Sequence, residues 1–351
     1  MIRYVYCPSY PSLALVAYFT SQHEAVCVVS PNEDVCKAAR DLGIPILRLD
    51  YAKLTPPRIR HFLMPQKWLQ YRKALRQFSQ DMSERIEPGS AFYFTITCID
   101  LIGLHLIDSL IRNRKDVEFH FWNETPGESL SDIRPACFAS PRNLINLLYV
   151  NYYYKPFFYH GMYSGGMYFF ASDGFLKRSN VKTLTLTDLP DANPYNSIGD
   201  KIANEYAGDV IFIGNYSLDF ESEWFDREDL LSMFKVLKHH CADIVYKPHP
   251  GPSVVDSPFG TWRVAPKHIP SEILCRKARL VIGTATTAMN ALAKGGVTCI
   301  SLAYLLKSCQ GFDKEFWVSK MKHESNENII FVRTPQELSQ YLDGVYASNP
   351  S

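Results

Sequence analysis

The chain has 351 residues, which at roughly 150 residues per domain is enough for about two domains with separate cores. Its composition, 46% hydrophobic and 21% charged, excludes an intrinsically disordered chain. A net charge of +1 speaks against a protein built to coat nucleic acid, and no nucleic-acid partner is expected. From the N-terminus, residues 3–7 read as a strand, followed by a Pro/Ser turn and a helix over 12–22. A strand over 25–29, a helix over 32–42 closed by Gly43, and a short strand over 44–49 continue the series. The rhythm returns with a strand at 91–96, a helix at 99–112 and a strand at 117–122. Strands alternating with helices at this spacing predict βαβ units and parallel sheets.

Two segments interrupt the alternation. Between Tyr51 and Gln80 stand seven basic residues (Lys53, Arg58, Arg60, Lys67, Arg72, Lys73 and Arg76) and no acid. Trp68, Tyr71, Leu75 and Phe78 fall on one helical face there. This basic amphipathic helix suits peripheral contact with an anionic membrane or an anionic glycolipid, and equally a surface helix whose apolar face is packed. The second segment, 149–170, is about half aromatic, which fits sugar stacking, a membrane interface or a core with Tyr hydroxyls at the surface.

Past residue 170 the pattern lapses into a Pro/Asn/Asp-rich stretch, DLPDANPYNS, with turn chemistry. A second series follows, with strands at 210–213, 244–246, 280–282, 298–302 and 329–332 and helices at 227–239, 271–276, 286–294 and 335–342. The expectation is an N-terminal Rossmann-like domain over 1–175, a linker over 176–205 and a C-terminal Rossmann-like domain over 206–351. Open parallel sheets bind ligands at the carboxyl ends of their strands.

Two such strand ends carry candidate chemistry. Tyr246-Lys247-Pro248-His249-Pro250-Gly251 follows an apolar strand, and its two prolines fix the backbone around one histidine. That imidazole can donate a hydrogen bond to a phosphate, with Lys247 adding charge nearby. About 35 residues further on, the run from Leu280 to Leu292 ends a strand at Gly283 and places Thr284, Thr286 and Thr287 at the start of a helix. Capping the helix requires one hydroxyl, whereas three in a Gly/Ala setting favour an anion. No Walker A motif is present, and no GxGxxG follows the first strand. The loop after that first strand, Cys7-Pro8-Ser9-Tyr10-Pro11-Ser12, offers Ser9, Tyr10 and Ser12 as substrate contacts, with helix capping as the alternative.

The KPHP loop followed by V-I-G-T-x-T-T-A-x-x-x-A-L resembles the bacterial sialyltransferases of the GT-B type. The resemblance implies two Rossmann-like parallel-sheet domains facing a central cleft. It also implies a metal-independent, inverting transfer of sialic acid from CMP-sialic acid to a glycan hydroxyl, often galactose, of a surface glycan or lipooligosaccharide. By that resemblance His249 meets the CMP phosphate, Thr286 and Thr287 bind the same phosphate, and Gly214 is the glycine at which the nucleotide-binding domain begins. The family's acidic pair followed by Gly is imperfect here: Asn123-Glu124-Thr125-Pro126-Gly127-Glu128 puts Asn in place of the first acid. Glu124 is the expected general base and Glu128 its alternate, with the acid of Ser172-Asp173-Gly174 a lesser one. CMP-Kdo and CDP-glycerol transferases share an HP element, and a non-catalytic glycan- or nucleotide-binding protein would keep the phosphate elements without a working base. No cofactor is expected, and with no DxD motif no metal either.

The stretch 1–21 has one early basic residue, and its apolar run is broken by Pro8 and Pro11, so a secretory signal is not expected. No apolar run reaches the roughly 18 residues a membrane helix needs. Nine scattered cysteines without a CxxC pair argue against a disulfide framework or zinc ribbon and fit a reducing, cytoplasmic setting, with most of the thiols buried.

Overall fold

Apolar runs too short for helices build the strands, and Asn32 and Asp313 cap two of the helices. The structure is a computed structural model that describes residues 1–51, 54, 65–95, 101–123, 158–163, 166–171, 182–185, 195, 198–214, 224–240, 243–249, 262–309 and 313–347. It divides into two compact units, Met1–Asp191 and Ala192–Ser351.

In the first unit β1 (Arg3–Tyr6), β2 (Val26–Ser30), β3 (Ile46–Arg48), β4 (Ala91–Thr95) and β5 (Glu118–Asn123) pair in parallel. The helices between them are α1 (Leu13–Ser21), α2 (Glu33–Asp41), α3 (Pro65–Glu84) and α4 (Leu101–Asn113). The start of α2 is set by Asn32, whose Oδ1 accepts from the Asp34 N–H at 3.0 Å and the Val35 N–H at 3.3 Å. Past its end Gly43 takes φ 73°. Two further strands, β6 (Phe158–Tyr163) and β7 (Gly166–Ala171), form an antiparallel hairpin within the aromatic-rich stretch. A last strand, β8 (Lys182–Thr185), adds to the sheet beside β5, giving the order β3-β2-β1-β4-β5-β8. Tyr6, Phe92, Phe94, Leu106, Leu110 and Phe121 belong to its core.

The second unit repeats the plan. Its helices are α5 (Asp200–Glu205), α6 (Arg227–His240), α7 (Ser271–Leu274), α8 (Ala288–Lys294), α9 (Lys314–Glu324) and α10 (Pro335–Ala347). Its strands are β9 (Val210–Ile213), β10 (Val245–Lys247), β11 (Arg263–Val264), β12 (Leu280–Gly283), β13 (Cys299–Ser301) and β14 (Ile329–Phe331). They form an all-parallel sheet in the order β11-β10-β9-β12-β13-β14. All of β9 and β12 is buried, as befits central strands covered on both faces. Phe212 meets Phe234 edge-on at 5.1 Å between centroids, and both lie near Trp262, so α6 packs against the sheet through aromatic rings. Both domains are therefore Rossmann-like, with strand order reversing between β1 and β4 and again between β9 and β12.

One expectation needs correction here, and one pair of alternatives is narrowed. The segment 176–205 is not a plain linker, because β8 completes the first sheet and α5 belongs to the second unit. Arg276 holds that second part, donating from Nη1 to the Ile198 carbonyl at 2.6 Å and also to the Tyr195 carbonyl. The apolar face of α3 is occupied as well. Tyr71 and Leu75 are buried with Leu54 and Ile102, so those residues are not available to lie on lipid. The Trp68 side chain is outside the described residues. Of the cysteines described, Cys7, Cys36, Cys275 and Cys299 are buried and Cys27 and Cys309 half-buried, all as free thiols. Among the described residues no helix is long and apolar enough to cross a membrane.

Candidate functional site

The carboxyl ends of β10, β9 and β12 lie side by side, with Lys247 and Gly283 both in register with Ile213. At about 4.8 Å per strand, the next residues Pro248, Gly214 and Thr284 span an edge about 10 Å wide. Strand order reverses within this edge, at β9 and β12, the position where open α/β sheets leave a crevice for ligands. Chain topology thus brings the HP loop and the threonine turn together, although 35 residues separate His249 from Thr284.

Lys247 is fully buried. Its Nζ donates to the Pro248 carbonyl at 2.7 Å and to the Lys267 carbonyl at 3.2 Å. The hydrogen bonds expected at a ligand go instead to two main-chain carbonyls, one of them adjacent to His249. Burial lowers its pKa to about 8, with Cys275 and Glu272 countering part of the fall, so at neutral pH the charge persists beneath the loop. His249 is half-buried, and burial together with the Lys247 charge lowers its pKa to about 4. It is therefore a neutral imidazole at neutral pH, able to donate one N–H but not carrying a proton to give away. Pro250 lies outside the described residues.

Gly214 has a packing reason to be glycine. A Cβ there would stand 2.4 Å from the Tyr246 Oη, 2.7 Å from Cε2 and 2.8 Å from Cζ, all parts of a rigid ring. At the threonine turn the three hydroxyls have different settings. Thr284 is fully buried, with its carbonyl accepting from Ser301 Oγ at 2.6 Å, so it does not face solvent as a ligand contact would. Thr286 is half-buried and Thr287 exposed. Thr287 occupies the position before α8 yet makes no side-chain capping bond, which removes simple capping as the reason for its hydroxyl. Because α8 has only seven residues, hydroxyls rather than a long helix axis supply the local donors.

The sequence-predicted residues of the first unit are arranged differently. Ser12 is fully buried and makes no side-chain capping bond to α1, so it does not serve as the cap of that helix. Ser9 is half-buried, and the Tyr10 hydroxyl is enclosed without a hydrogen-bond partner. Ser30 Oγ donates to the Cys7 carbonyl at 2.5 Å and fastens this loop to the end of β2, an anchor that sequence reading missed. Glu124, Glu128 and Asp173 lie outside the described residues, although β5 ends at Asn123, directly before Glu124. Among the described residues no group of three or more His, Cys, Asp or Glu side chains is placed to hold a metal ion.

No protein-family model and no curated protein matches this chain. Among solved structures it is similar to the ADP-heptose lipopolysaccharide heptosyltransferase II of E. coli, at 10% identity over 99% of each chain with a TM-score of 0.47. It is also similar to the spinosyn rhamnosyltransferase SpnG complexed with thymidine diphosphate, at 14% identity over 99% of this chain and 90% of that one, TM-score 0.42. A third is the UDP-GlcNAc 2-epimerase of Methanocaldococcus jannaschii, at 8% identity over 98% and 92%, TM-score 0.43.

Proposed function

We propose that the chain is a GT-B-type glycosyltransferase whose second domain binds a CMP-activated sugar, CMP-sialic acid, and transfers it with inversion to a glycan or glycolipid hydroxyl. The observation that supports this most is that the loop carrying His249 and the turn carrying Thr286 and Thr287 leave the sheet at the same β10-β9-β12 edge. In this reading a carboxylate, Glu124, takes the proton of an acceptor hydroxyl. The acceptor oxygen forms a bond to the anomeric carbon as the bond from that carbon to the phosphate oxygen breaks. The electron pair leaves with CMP, and negative charge builds on its phosphate. A neutral His249 stabilises that charge by donating its ring N–H, the Thr286 and Thr287 hydroxyls add donors, and Lys247 contributes potential from below without touching the ligand. Preorganised donors help most where charge develops, so these groups act on departure of the leaving group.

The test is thermal unfolding with CMP, CDP, UMP, UDP and GDP at equal concentration. A ligand at a hundredfold excess over its Kd stabilises the fold by about 2.7 kcal/mol. The expected result is a shift with CMP that His249→Ala abolishes. Shifts only with uridine or guanosine nucleotides would discard the CMP-sugar reading. Glu124→Gln is expected to lose transfer while keeping the CMP shift. Equal transfer by Glu124→Gln and wild type would remove the base from that position.

A further inference from the structure

A second basic site lies in the first unit, in a cavity of about 680 Å³ between α3 and α4. Arg72, Arg76 and Ser79 line it from α3, and His105, Asp108 and Arg112 from α4. The spacing explains the grouping: i, i+4, i+7 on one helix and i, i+3, i+7 on the other each make a single stripe. Tyr71, Leu75 and Ile102 pack together, tying the same two helices.

The charges in this cavity do not simply cancel: Arg72, Arg76 and Arg112 stand against Asp108 and Glu84, which leaves one net positive charge. Asp108 is 8% exposed and accepts from Arg112 Nε at 2.8 Å, so these two balance each other. The positive charges of Arg76 and Arg72 both act on His105, and with burial as the larger cause they hold its pKa at about 4. His105 is thus neutral at neutral pH and retains an N–H. Ser79 is 1% exposed, and its hydroxyl has no hydrogen-bond partner. A buried hydroxyl left unpaired is unfavourable, and one facing a basic cavity calls for a ligand oxygen.

We propose that this cavity binds a phosphate-bearing anion, with Arg72 and Arg76 clasping the phosphate and Ser79 and His105 donating to it. Guanidinium groups match phosphate oxygens in bidentate geometry, and this many converging donors exceeds what a carboxylate's two oxygens would use. The volume leaves space for an organic group beyond the phosphate. The cavity is also well away from the loop after β1. A helix between parallel strands runs antiparallel to them, so the later halves of α3 and α4 approach the amino edge of the sheet. The Gly89 N–H bonds to the Asp116 carbonyl and the Glu118 N–H to the Ser90 carbonyl at that edge, just past the two helices.

The experiment is isothermal titration of the full chain with sodium pyrophosphate, with His105 imidazole signals followed by NMR. A parallel arm measures pelleting with phosphatidylcholine vesicles, with and without about one-third phosphatidylglycerol. Wild type is expected to bind pyrophosphate and shift the His105 signal. Arg76→Gln should weaken binding about tenfold and Arg72→Gln/Arg76→Gln should abolish it, because each charged hydrogen bond is worth about one decade or more. Ser79→Ala should weaken binding severalfold with an unchanged or higher Tm, which separates ligand loss from unfolding. The His105 signal reports this cavity alone, so its loss in the arginine variants is distinguishable from pyrophosphate binding at the strand edge of the second unit and from failure of the glycosyl-transfer reading. Binding only to the anionic vesicles, lost in the double variant, would assign the phosphate to a lipid headgroup. A His105 shift with pyrophosphate that persists in the double arginine variant would overturn the proposal. So would failure of wild type to bind either probe.

Discussion

Replacing Lys247 by Met tests how the His249 loop is held. The ammonium makes two hydrogen bonds, to Pro248 O at 2.7 Å and Lys267 O at 3.2 Å. At about 1.5–3 kcal/mol for each bond from a charged donor, removing them costs about 3–6 kcal/mol. Against this stands the burial of the charge. A fall in pKa from 10.5 to about 8 means the charged form is held at a cost of about 3 kcal/mol, which Met does not incur. The opposing terms largely offset, as they do when other buried charges are replaced by apolar groups, and the expected loss at pH 7 is no more than about 3 kcal/mol.

The pH dependence is more diagnostic than the size. Because the folded pKa of Lys247 lies below the unfolded one, the unfolded chain binds the extra proton between about pH 8 and 10.5. Wild-type stability from this group therefore rises with pH through that window, by about 3 kcal/mol in all, and falls back as pH drops through 8. Lys247→Met lacks the term, so the wild-type advantage in urea unfolding should widen by about that amount from neutral pH to pH 10.5. Histidine NMR supplies a second readout. Burial is the larger cause of the low His249 pKa and Lys247 the other, so the variant should raise that pKa above about 4 without restoring 6.5. The CMP-induced thermal shift should shrink as the loop loses its anchor. A pH-independent stability difference with an unmoved His249 pKa would refute this account of the loop.

Three further outcomes follow from the geometry. Gly214→Ala drives a Cβ into the Tyr246 ring, at 2.4 Å from Oη, and should cost about 1–3 kcal/mol in urea unfolding. Adding Tyr246→Leu should recover part of that loss, and no recovery would remove the ring as the cause. Thr287→Ala should change stability by less than about 0.5 kcal/mol, since the hydroxyl makes no cap, while reducing the CMP shift. A stability loss of about 1 kcal/mol would instead show the hydroxyl capping α8. His105 is held at about 4, below its ordinary 6.5, so the unfolded chain binds its proton first and stability falls as pH drops through that window. His105→Asn should flatten that acid-side slope, and an unchanged slope would place the sensitivity elsewhere.

Most central strands were legible because burial on both faces makes them continuous apolar runs, as in Val210–Ile213 and Leu280–Gly283. What sequence reading missed has physical reasons. The edge strand Lys182–Thr185, KTLT, has alternating polar residues and sits next to a Pro/Asn/Asp-rich stretch. Helix α9, Lys314–Glu324, buries only Val318 and Met321 and leaves Phe316 59% exposed, so its period is faint. In the β6 and β7 segments aromatic residues at both odd and even positions of the sequence hide the period of two. The Ser164-Gly165-Gly166 run, whose last glycine opens β7, was a turn signal available in the sequence. At the site, residue types were legible, but spending was not. Lys247 reads as a ligand from its position in the motif, and only the fold shows its ammonium taken up by carbonyls.

The two domains share one strand order, and this makes their difference informative. At the first sheet's reversal, between β1 and β4, the loop after β1 is tied down by its own polar groups. Ser30 Oγ holds the Cys7 carbonyl, Asn32 Nδ2 reaches the Pro8 carbonyl at 3.5 Å, and Ser12 is fully buried. At the second reversal the fastening is done from beneath, by Lys247 and by Ser301, whose hydroxyl takes the Thr284 carbonyl. That division of labour leaves His249 half-buried and Thr287 exposed without a capping duty. A site for a phosphate needs donors held in place by other groups. This fastening supports the reading proposed above, in which the nucleotide binds in the second domain. Exchanging the roles, by Ser301→Ala, should loosen the threonine turn and weaken CMP binding through a residue whose hydroxyl bonds to the turn's backbone. CMP affinity equal to wild type in that variant would show that the turn does not need its anchor.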